Sequence, residues 1–244
     1  MIDKKEFTDE IIRVFSLNGM QQLLGEDKCD LFYRLTERML TENEKYNLTA
    51  ITDTKKIILN HYADCATLAS RIDRNASVAD IGCGAGFPSL PLAILRPDVK
   101  IFAVDSTSKR IGYVNETARL LGLDNVTAVT MRAEEGALMP KYREAFDVVT
   151  ARAVAPMPIL SELCLPYVKP MGKFIAMKGR QAEDELKTAR VGIKALGGGE
   201  ACVEEISLLG GEDILTHPLI TIKKVNATPK SYPRPYAKIL KKPL

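Results

Sequence analysis

Two periodicities divide the chain. Up to about residue 70 the apolar positions recur at helical spacing. Leu31, Phe32, Leu35, Met39 and Leu40 fall on one face of a segment that Asp27 can cap, and Thr8 and Asp53 precede two further helical stretches. From Ser77 onward, short β-type runs alternate with helical ones. The runs are Ser77–Ile81, Lys100–Asp105, Val126–Met131, Asp147–Thr150, Lys173–Lys178, Cys202–Leu208 and Leu219–Val225. Between them Ile111, Val114, Ala118 and Leu121 mark one helix, and Ile159, Leu160, Leu163, Cys164 and Tyr167 another. The alternation predicts an α/β fold with a seven-stranded, mostly parallel sheet, helices on both faces and a helical N-terminal extension. Such sheets bind ligands at the carboxyl ends of their strands. No internal repeat or low-complexity segment interrupts the chain. We expect one domain, with the extension over 1–72, a core over 73–225 and a tail over 226–244.

Composition supports this reading. The chain has 244 residues, 46% hydrophobic and 27% charged, with a mean hydropathy of −0.05. A chain this long buries roughly 70–75% of its unfolded surface and holds a core without disulfides or a structural metal. The longest apolar runs, such as Leu90 to Leu95, fall far short of the ~18 residues of a membrane helix. The acidic start Met1-Ile2-Asp3-Lys4-Lys5-Glu6 leads into no signal-like stretch, so a cytoplasmic location is expected, with no membrane partner. Cysteines at 29, 65, 83, 164 and 202 are odd in number and widely spaced. They argue against a disulfide framework and a zinc site, and we expect buried thiols and no metal. No exposed apolar repeat calls for an oligomer, so a monomer is expected.

Charge is unevenly placed. The net charge is +3, but Lys223 to Leu244 carries seven basic residues and no acid, leaving 27 basic against 31 acidic residues elsewhere. A basic tail on an acidic body suits a polyanion, and Tyr232 and Tyr236 within it offer aromatic faces for unpaired bases. A solvated, frayed terminus is the alternative.

The strongest chemical signal is Val78-Ala79-Asp80-Ile81-Gly82-Cys83-Gly84-Ala85-Gly86-Phe87-Pro88, three glycines in a turn between a β-type run and a helical run. A dinucleotide fingerprint needs a third glycine where Phe87 stands. The pattern D-x-G-x-G-x-G instead resembles the first motif of class I S-adenosylmethionine-dependent methyltransferases. The next run ends at Asp105, where a carboxylate can accept both ribose hydroxyls or serve as the acid at the start of the following helix. The third run ends at Met131-Arg132-Ala133-Glu134-Glu135, where Glu134 can accept an adenine amino group or lie in an exposed acidic turn.

With Asn47-Leu48-Thr49, His61-Tyr62-x-Asp64, the glycine turn through Pro88, Arg152-Ala153, Lys178-Gly179 and Tyr232-Pro233-Arg234 in this order, the chain resembles the RsmG (GidB) family from about Asn47 to Pro235. These are bacterial 16S rRNA guanine-N7 methyltransferases. The resemblance implies a class I fold, S-adenosylmethionine as methyl donor, and guanine 527 in the 530 loop of 16S rRNA, within the 30S subunit, as target. The cofactor set becomes Asp80, Gly82, Gly84, Gly86, Phe87, Asp105, Ala133, Glu134 and Arg152. Arg152, Lys178, His61 and Arg234 become substrate-positioning candidates. His61 equally suits a satisfied helix histidine and Asn47 a simple cap or turn, while Tyr46, Tyr62 and Phe87 are candidate stacking surfaces that the core suits better. One departure is Ser89 after Pro88, where many relatives have glycine.

The residues themselves agree by what they omit. After the fourth run stands Thr150-Ala151-Arg152-Ala153-Val154, with no Asn/Asp-Pro-Pro-aromatic motif to orient an exocyclic amine. Cys164 sits on an apolar helix face rather than in that loop, and no lysine–aspartate arrangement is provided to activate a ribose hydroxyl. Guanine N7 has an in-plane lone pair and no proton to lose, so no general base is expected. A cation against the base would oppose the charge that develops there, so Arg152 and Lys178 fit phosphate or a cofactor carboxylate better. Two alternatives are carried: a small-molecule methyltransferase, and a non-catalytic rRNA-binding protein.

Overall fold

The computed structural model describes residues 2–244. The chain opens with α1 (Lys4–Leu17), which presents Phe7, Ile11, Val14 and Phe15 to the core, and α2 (Glu26–Tyr46), which presents Phe32, Leu35 and Met39. Their starts differ from the sequence expectation. Asp3, not Thr8, caps α1 by accepting from Glu6 N, and Gly25 precedes α2, leaving Asp27 in its first turn. Both acids suit the positive end of a helix, and only the one with the extended backbone becomes the cap. Asn47 ends α2 with a left-handed φ of 48°.

A third helical segment runs unbroken through α3 (Thr54–Ile57), a π-helical turn (Ile58–Ala63) and α4 (Asp64–Ala66). Asp53 caps it by accepting from Lys56 N, as expected. The wide turn contains His61 and Tyr62; such turns often adjoin functional sites.

There follow β1 (Ser77–Ile81), α5 (Ser89–Leu95), β2 (Lys100–Asp105), α6 (Ser108–Leu121), β3 (Val126–Thr130) and α7 (Ala133–Gly136). The chain continues with β4 (Phe146–Arg152), α8 (Met157–Cys164), β5 (Val168–Met177), α9 (Ala182–Ala195), β6 (Gly198–Leu209), β7 (Ile214–Lys224) and α10 (Tyr236–Lys241). The sheet order is β3-β2-β1-β4-β5-β7-β6. The first five strands are parallel, and β7 and β6 add antiparallel at one edge. Chain order reverses between β1 and β4, which opens a crevice at their carboxyl ends.

Strand parity sorts the core into two layers. Val78, Ile101, Ala103, Val148 and Ile175 face the N-terminal helices with α5 and α6, while Ala79, Ile81, Phe102, Val104, Val149 and Phe174 face α8, α9 and α10. The same parity sends Asp80 and Arg152 toward the N-terminal helices, because each stands an even number of residues from Val78 or Val148.

The tail is anchored rather than frayed. Lys224 is fully buried, its Nζ donating to Leu165 O at 2.6 Å and Thr228 Oγ1 at 2.7 Å and pairing with Glu144 at 3.2 Å. Burial lowers its pKa to about 8. Arg143 donates to the carbonyls of Thr228 and Tyr232 at 2.8 Å each. Arg234, a substrate-positioning candidate in the sequence, pairs with the fully buried Glu162, with Nη2 2.6 Å from Oε2 and its backbone N 2.8 Å from Oε1. A carboxylate enclosed by α8 needs that cation, and this fixes the arginine as an anchor. Lys238, Lys241 and Lys242 remain exposed.

Four cysteines are buried and all five are free, but Cys202 is exposed on the edge strand β6, contrary to the expectation of buried thiols throughout. Among the described residues no helix is long and apolar enough to cross a membrane.

The Glu162–Arg234 clamp predicts an asymmetry in urea unfolding. Arg234→Ala leaves a buried carboxylate without its cation and lowers stability by about 3–5 kcal/mol, whereas replacing both residues by methionine costs far less. Equal losses in the two variants would contradict the clamp.

Candidate functional site

Backbone geometry creates the glycine turn. Gly82, Gly84 and Gly86 have φ of 76°, 55° and 85°, the left-handed region that a Cβ disfavours. A Cβ on Gly82 would stand 2.6 Å from Val154 Cγ2, and one on Gly86 2.6 Å from Leu90 Cδ1, so both glycines also permit close packing. Gly84 faces open space. The turn is tied to β2: Gly82 N and Cys83 N donate to Val104 O, and Gly84 N donates to Asp105 Oδ2 at 3.0 Å. Asp105 Oδ1 accepts from Thr107 N at 2.8 Å, so the carboxylate is oriented by two backbone amides.

A cavity of about 260 Å³ lies over the carboxyl ends of β1, β2 and β3. Of the sequence-predicted cofactor residues it gathers Gly82, Asp105, Ala133 and Glu134. It adds Thr107, Arg110, Met131, Val154 and Tyr236, which sequence reasoning missed. Thr107 and Arg110 follow Asp105 by two and five residues, so the strand-end rule could have found them. Tyr236 comes from the tail through tertiary folding, and Arg132 lies over its ring at 5.7 Å from the centroid.

The other expected residues lie outside that lining. Asp80 turns to α5, accepting from both the amide and the hydroxyl of Ser89. Its Oδ1 has no protein partner, and burial pushes its pKa up to about 6. Ser89, the departure from the family pattern, thus becomes the partner that fixes Asp80. Phe87 is a core ring rather than a free stacking surface: it stacks on His61 at 4.6 Å, and the Arg152 guanidinium carbon lies 5.2 Å from its centroid. Tyr62 is likewise buried, its hydroxyl 2.7 Å from that of Thr36, whereas Tyr46 is exposed.

Arg152 and Lys178 line a second cavity of about 240 Å³ at the ends of β4 and β5, which shares Ala153 with the first. Lys178 is nearly buried; its Nζ donates to Ala155 O at 2.9 Å and pairs with Glu185 at 2.7 Å. Arg152 Nη1 reaches Asn60 O and Asp64 Oδ2, both at 3.2 Å. Asp64 Oδ1 meets His217 Nε2 at 2.6 Å. His217, from β7, had no local signal in the sequence.

His61 Nε2 lies 3.0 Å from Thr49 Oγ1, and Nδ1 lies 3.1 Å from Asn60 O and 3.3 Å from Arg152 Nη2. Burial, assisted by the Arg152 charge, lowers its pKa to about 4. It is a satisfied, neutral core imidazole. Among the described residues no group of three or more His, Cys, Asp or Glu side chains converges as a metal site.

The glycine turn and the acid ending β2 stand together at the first of two adjoining cavities over the strand ends. The family model described as rRNA small subunit methyltransferase G (GidB) matches residues 28–207. The chain belongs to this family. Proteins named ribosomal RNA small subunit methyltransferase G include one from Clostridium perfringens (strain 13 / Type A), 43% identical over 228 residues, covering 93% of this chain and 94% of that protein. Another, from Oceanobacillus iheyensis, is 46% identical over 213 residues, covering 86% of this chain and 89% of that protein. Among solved structures, a SAM-dependent methyltransferase from Aquifex aeolicus aligns at a TM-score of 0.51 and 19% identity, covering 71% of this chain and 94% of that one. The precorrin-6y C5,15-methyltransferase from Geobacter metallireducens aligns at 0.51 and 19%, covering 72% and 90%. At such identity the likeness concerns the fold, which is that of the class I methyltransferases.

The buried neutral His61 predicts acid sensitivity. Its folded-state pKa lies below the unfolded value, so the unfolded chain binds more protons as pH falls from 6.5 toward 4, and stability is lost across that window by roughly 3 kcal/mol. Chemical denaturation at pH 7 and pH 4.5 should show the gap between wild type and His61→Gln narrowing by about that amount. An unchanged gap would exclude a depressed His61 pKa.

Proposed function

We propose that the protein transfers a methyl group from S-adenosylmethionine to N7 of a guanine in the 530 loop of 16S rRNA. Membership of the small-subunit methyltransferase family, together with the oriented Asp105 beside the glycine turn, carries this reading.

The residues present suit the donor. Asp105, held by two backbone amides, keeps acceptor capacity for a vicinal diol, and Glu134 in the first turn of α7 offers an acceptor for an amino group. Gly82 leaves room for close backbone approach at the cavity wall, where any larger residue would strike Val154. Four other members of the expected set support this wall: Asp80 fixes α5 through Ser89, Gly84 ties the turn to Asp105, and Gly86 and Phe87 pack it against the helices. Bound there, S-adenosylmethionine supplies an electrophilic methyl group.

The acceptor requires no proton removal, because N7 carries a free lone pair. The task of the protein is orientation, bringing N7 to about 3–3.5 Å from the methyl carbon. We place the acceptor nucleotide in the second cavity, beside Ala153. Lys178 and Arg152 shape its wall while engaged with Glu185 and Asp64, which limits the charge they press on a purine. Neither they nor the neutral His61 act as a general base.

The deciding experiment incubates 30S subunits from cells lacking the endogenous activity with the protein and S-adenosylmethionine, followed by aniline cleavage at N7-methylguanosine and primer extension. One donor-dependent stop in the 530 loop is expected. Donor binding without a stop would favour a small-molecule acceptor, and tight rRNA binding without transfer a non-catalytic role. Asp105→Ala removes charge-assisted bonds of roughly 1.5–3 kcal/mol each, so calorimetry should show donor affinity at least ten-fold weaker. Unchanged affinity would remove Asp105 from the donor site.

A further inference from the structure

His217 was invisible in the sequence and belongs to none of the motifs, yet it lines the second cavity and touches its only carboxylate. Its ring geometry is specific. Nε2 lies 2.6 Å from Asp64 Oδ1, and Nδ1 lies 3.3 Å from the carbonyl oxygen of Pro218. Both ring nitrogens therefore face acceptors. A neutral imidazole has one N–H and one lone pair, so it would direct that lone pair at an oxygen; the imidazolium donates to both.

The partner of that imidazolium controls Arg152. Asp64 uses one oxygen for His217 and the other for Arg152, so its carboxylate cannot rotate without losing one of the two contacts. All three side chains are largely buried. The neighbouring elements supply the remaining charges. His61 on the π-helical turn is neutral, Lys178 at the end of β5 is balanced by Glu185 of α9, and Ile206, opposite His217 on β6, is apolar. Arg152 and Asp64 also cancel, so the proton on His217 decides whether the cavity wall is neutral or carries a single positive charge.

We propose that His217 is a positioning residue for methyl transfer: as an imidazolium it clamps Asp64, and Asp64 fixes Arg152 on the wall of the cavity that receives the acceptor nucleotide. This rests on the functional reading above. A net positive wall attracts the phosphates of RNA, and a fixed guanidinium keeps the nucleotide in register with the donor. Losing the proton removes the charge and frees the carboxylate together. The burial of His217 opposes protonation, but the hydrogen bond and charge of Asp64 outweigh it and raise its pKa above the ordinary 6.5. The raised pKa favours the active form, which fades as pH rises through it.

The chain has only two histidines, which makes the test direct. Nitrogen-15 NMR of the intact protein reads both imidazoles, and turnover on 30S subunits is measured from pH 6 to 9. We expect His217 to titrate above 6.5 and wild-type kcat to fall with the same midpoint. His217→Gln should lower kcat about ten- to a hundred-fold and abolish that limb, with donor affinity unchanged. His217→Arg, which cannot lose its charge, should retain turnover at alkaline pH.

A His217 that titrates at or below 6.5 would overturn the proposal without any variant. So would His217→Gln retaining both kcat and the alkaline limb, or His217→Arg falling to the level of the glutamine variant. Absence of guanine methylation by the wild type at every pH would overturn the functional reading and this inference with it, and the imidazole titration tells the two failures apart.

Discussion

A parallel sheet covered by helices on both faces leaves polar chemistry few places to stand. The middle positions of β1, β2 and β4 are enclosed, and a charged group there must find a partner inside the protein. Asp80 illustrates the cost: it has Ser89 for one oxygen and nothing from the protein for the other. At the carboxyl ends, strands give way to turns whose amides and carbonyls are free to bind. Gly82, Asp105, Glu134, Arg152 and Lys178 come from separate parts of the sequence and meet there because all five parallel strands point the same way. The reversal between β1 and β4 then divides the edge into two adjoining cavities.

Charged side chains in this protein act as fasteners as often as they act as ligands. Lys224 closes the end of β7 on the segment before β5, Arg234 pins the tail to α8, and Lys178 with Glu185 holds the loop after β4. Each is a long side chain whose charge is balanced within the fold. A count of basic residues in the last 22 positions therefore overstates what is available to a polyanion, since two of the seven are consumed in anchoring. The tail that results is an ordered wall, and through Tyr236 it reaches the main cavity.

Much of the fold was legible because it is written in local alternation. Ser77–Ile81 and Lys100–Asp105 match the expected runs residue for residue, since buried parallel strands are short and bounded by turns. The antiparallel edge was read short. β6 and β7 extend to 12 and 11 residues, with exposed stretches such as Glu204-Glu205 whose strand character comes from pairing rather than hydrophobicity. The site divided the same way. Gly82, Asp105 and Glu134 follow from the rule that strand ends bind, and Phe87 takes the core position that its apolar neighbours favoured. His217 reaches its cavity only by contacts with segments distant in sequence, so no window of residues marks it, and Tyr236, marked as an aromatic of the basic tail, was not placed at the main cavity.

The two histidines show how tertiary context sets chemistry that residue type leaves open. Both are largely buried, and both lie close to Arg152. His61 meets a threonine hydroxyl and a backbone carbonyl, with the guanidinium facing its ring nitrogen, so burial and repulsion act together and keep it neutral. His217 meets the same guanidinium with Asp64 placed between them, and the carboxylate reverses the balance. Neither ring is arranged to take a proton from the acceptor. For the proposed reaction, whose nucleophile is a free lone pair, that is the expected division of labour. The ionisable groups of the second cavity fix the geometry of its wall, and the charge left over after their mutual pairing is what the proposed acceptor nucleotide would meet.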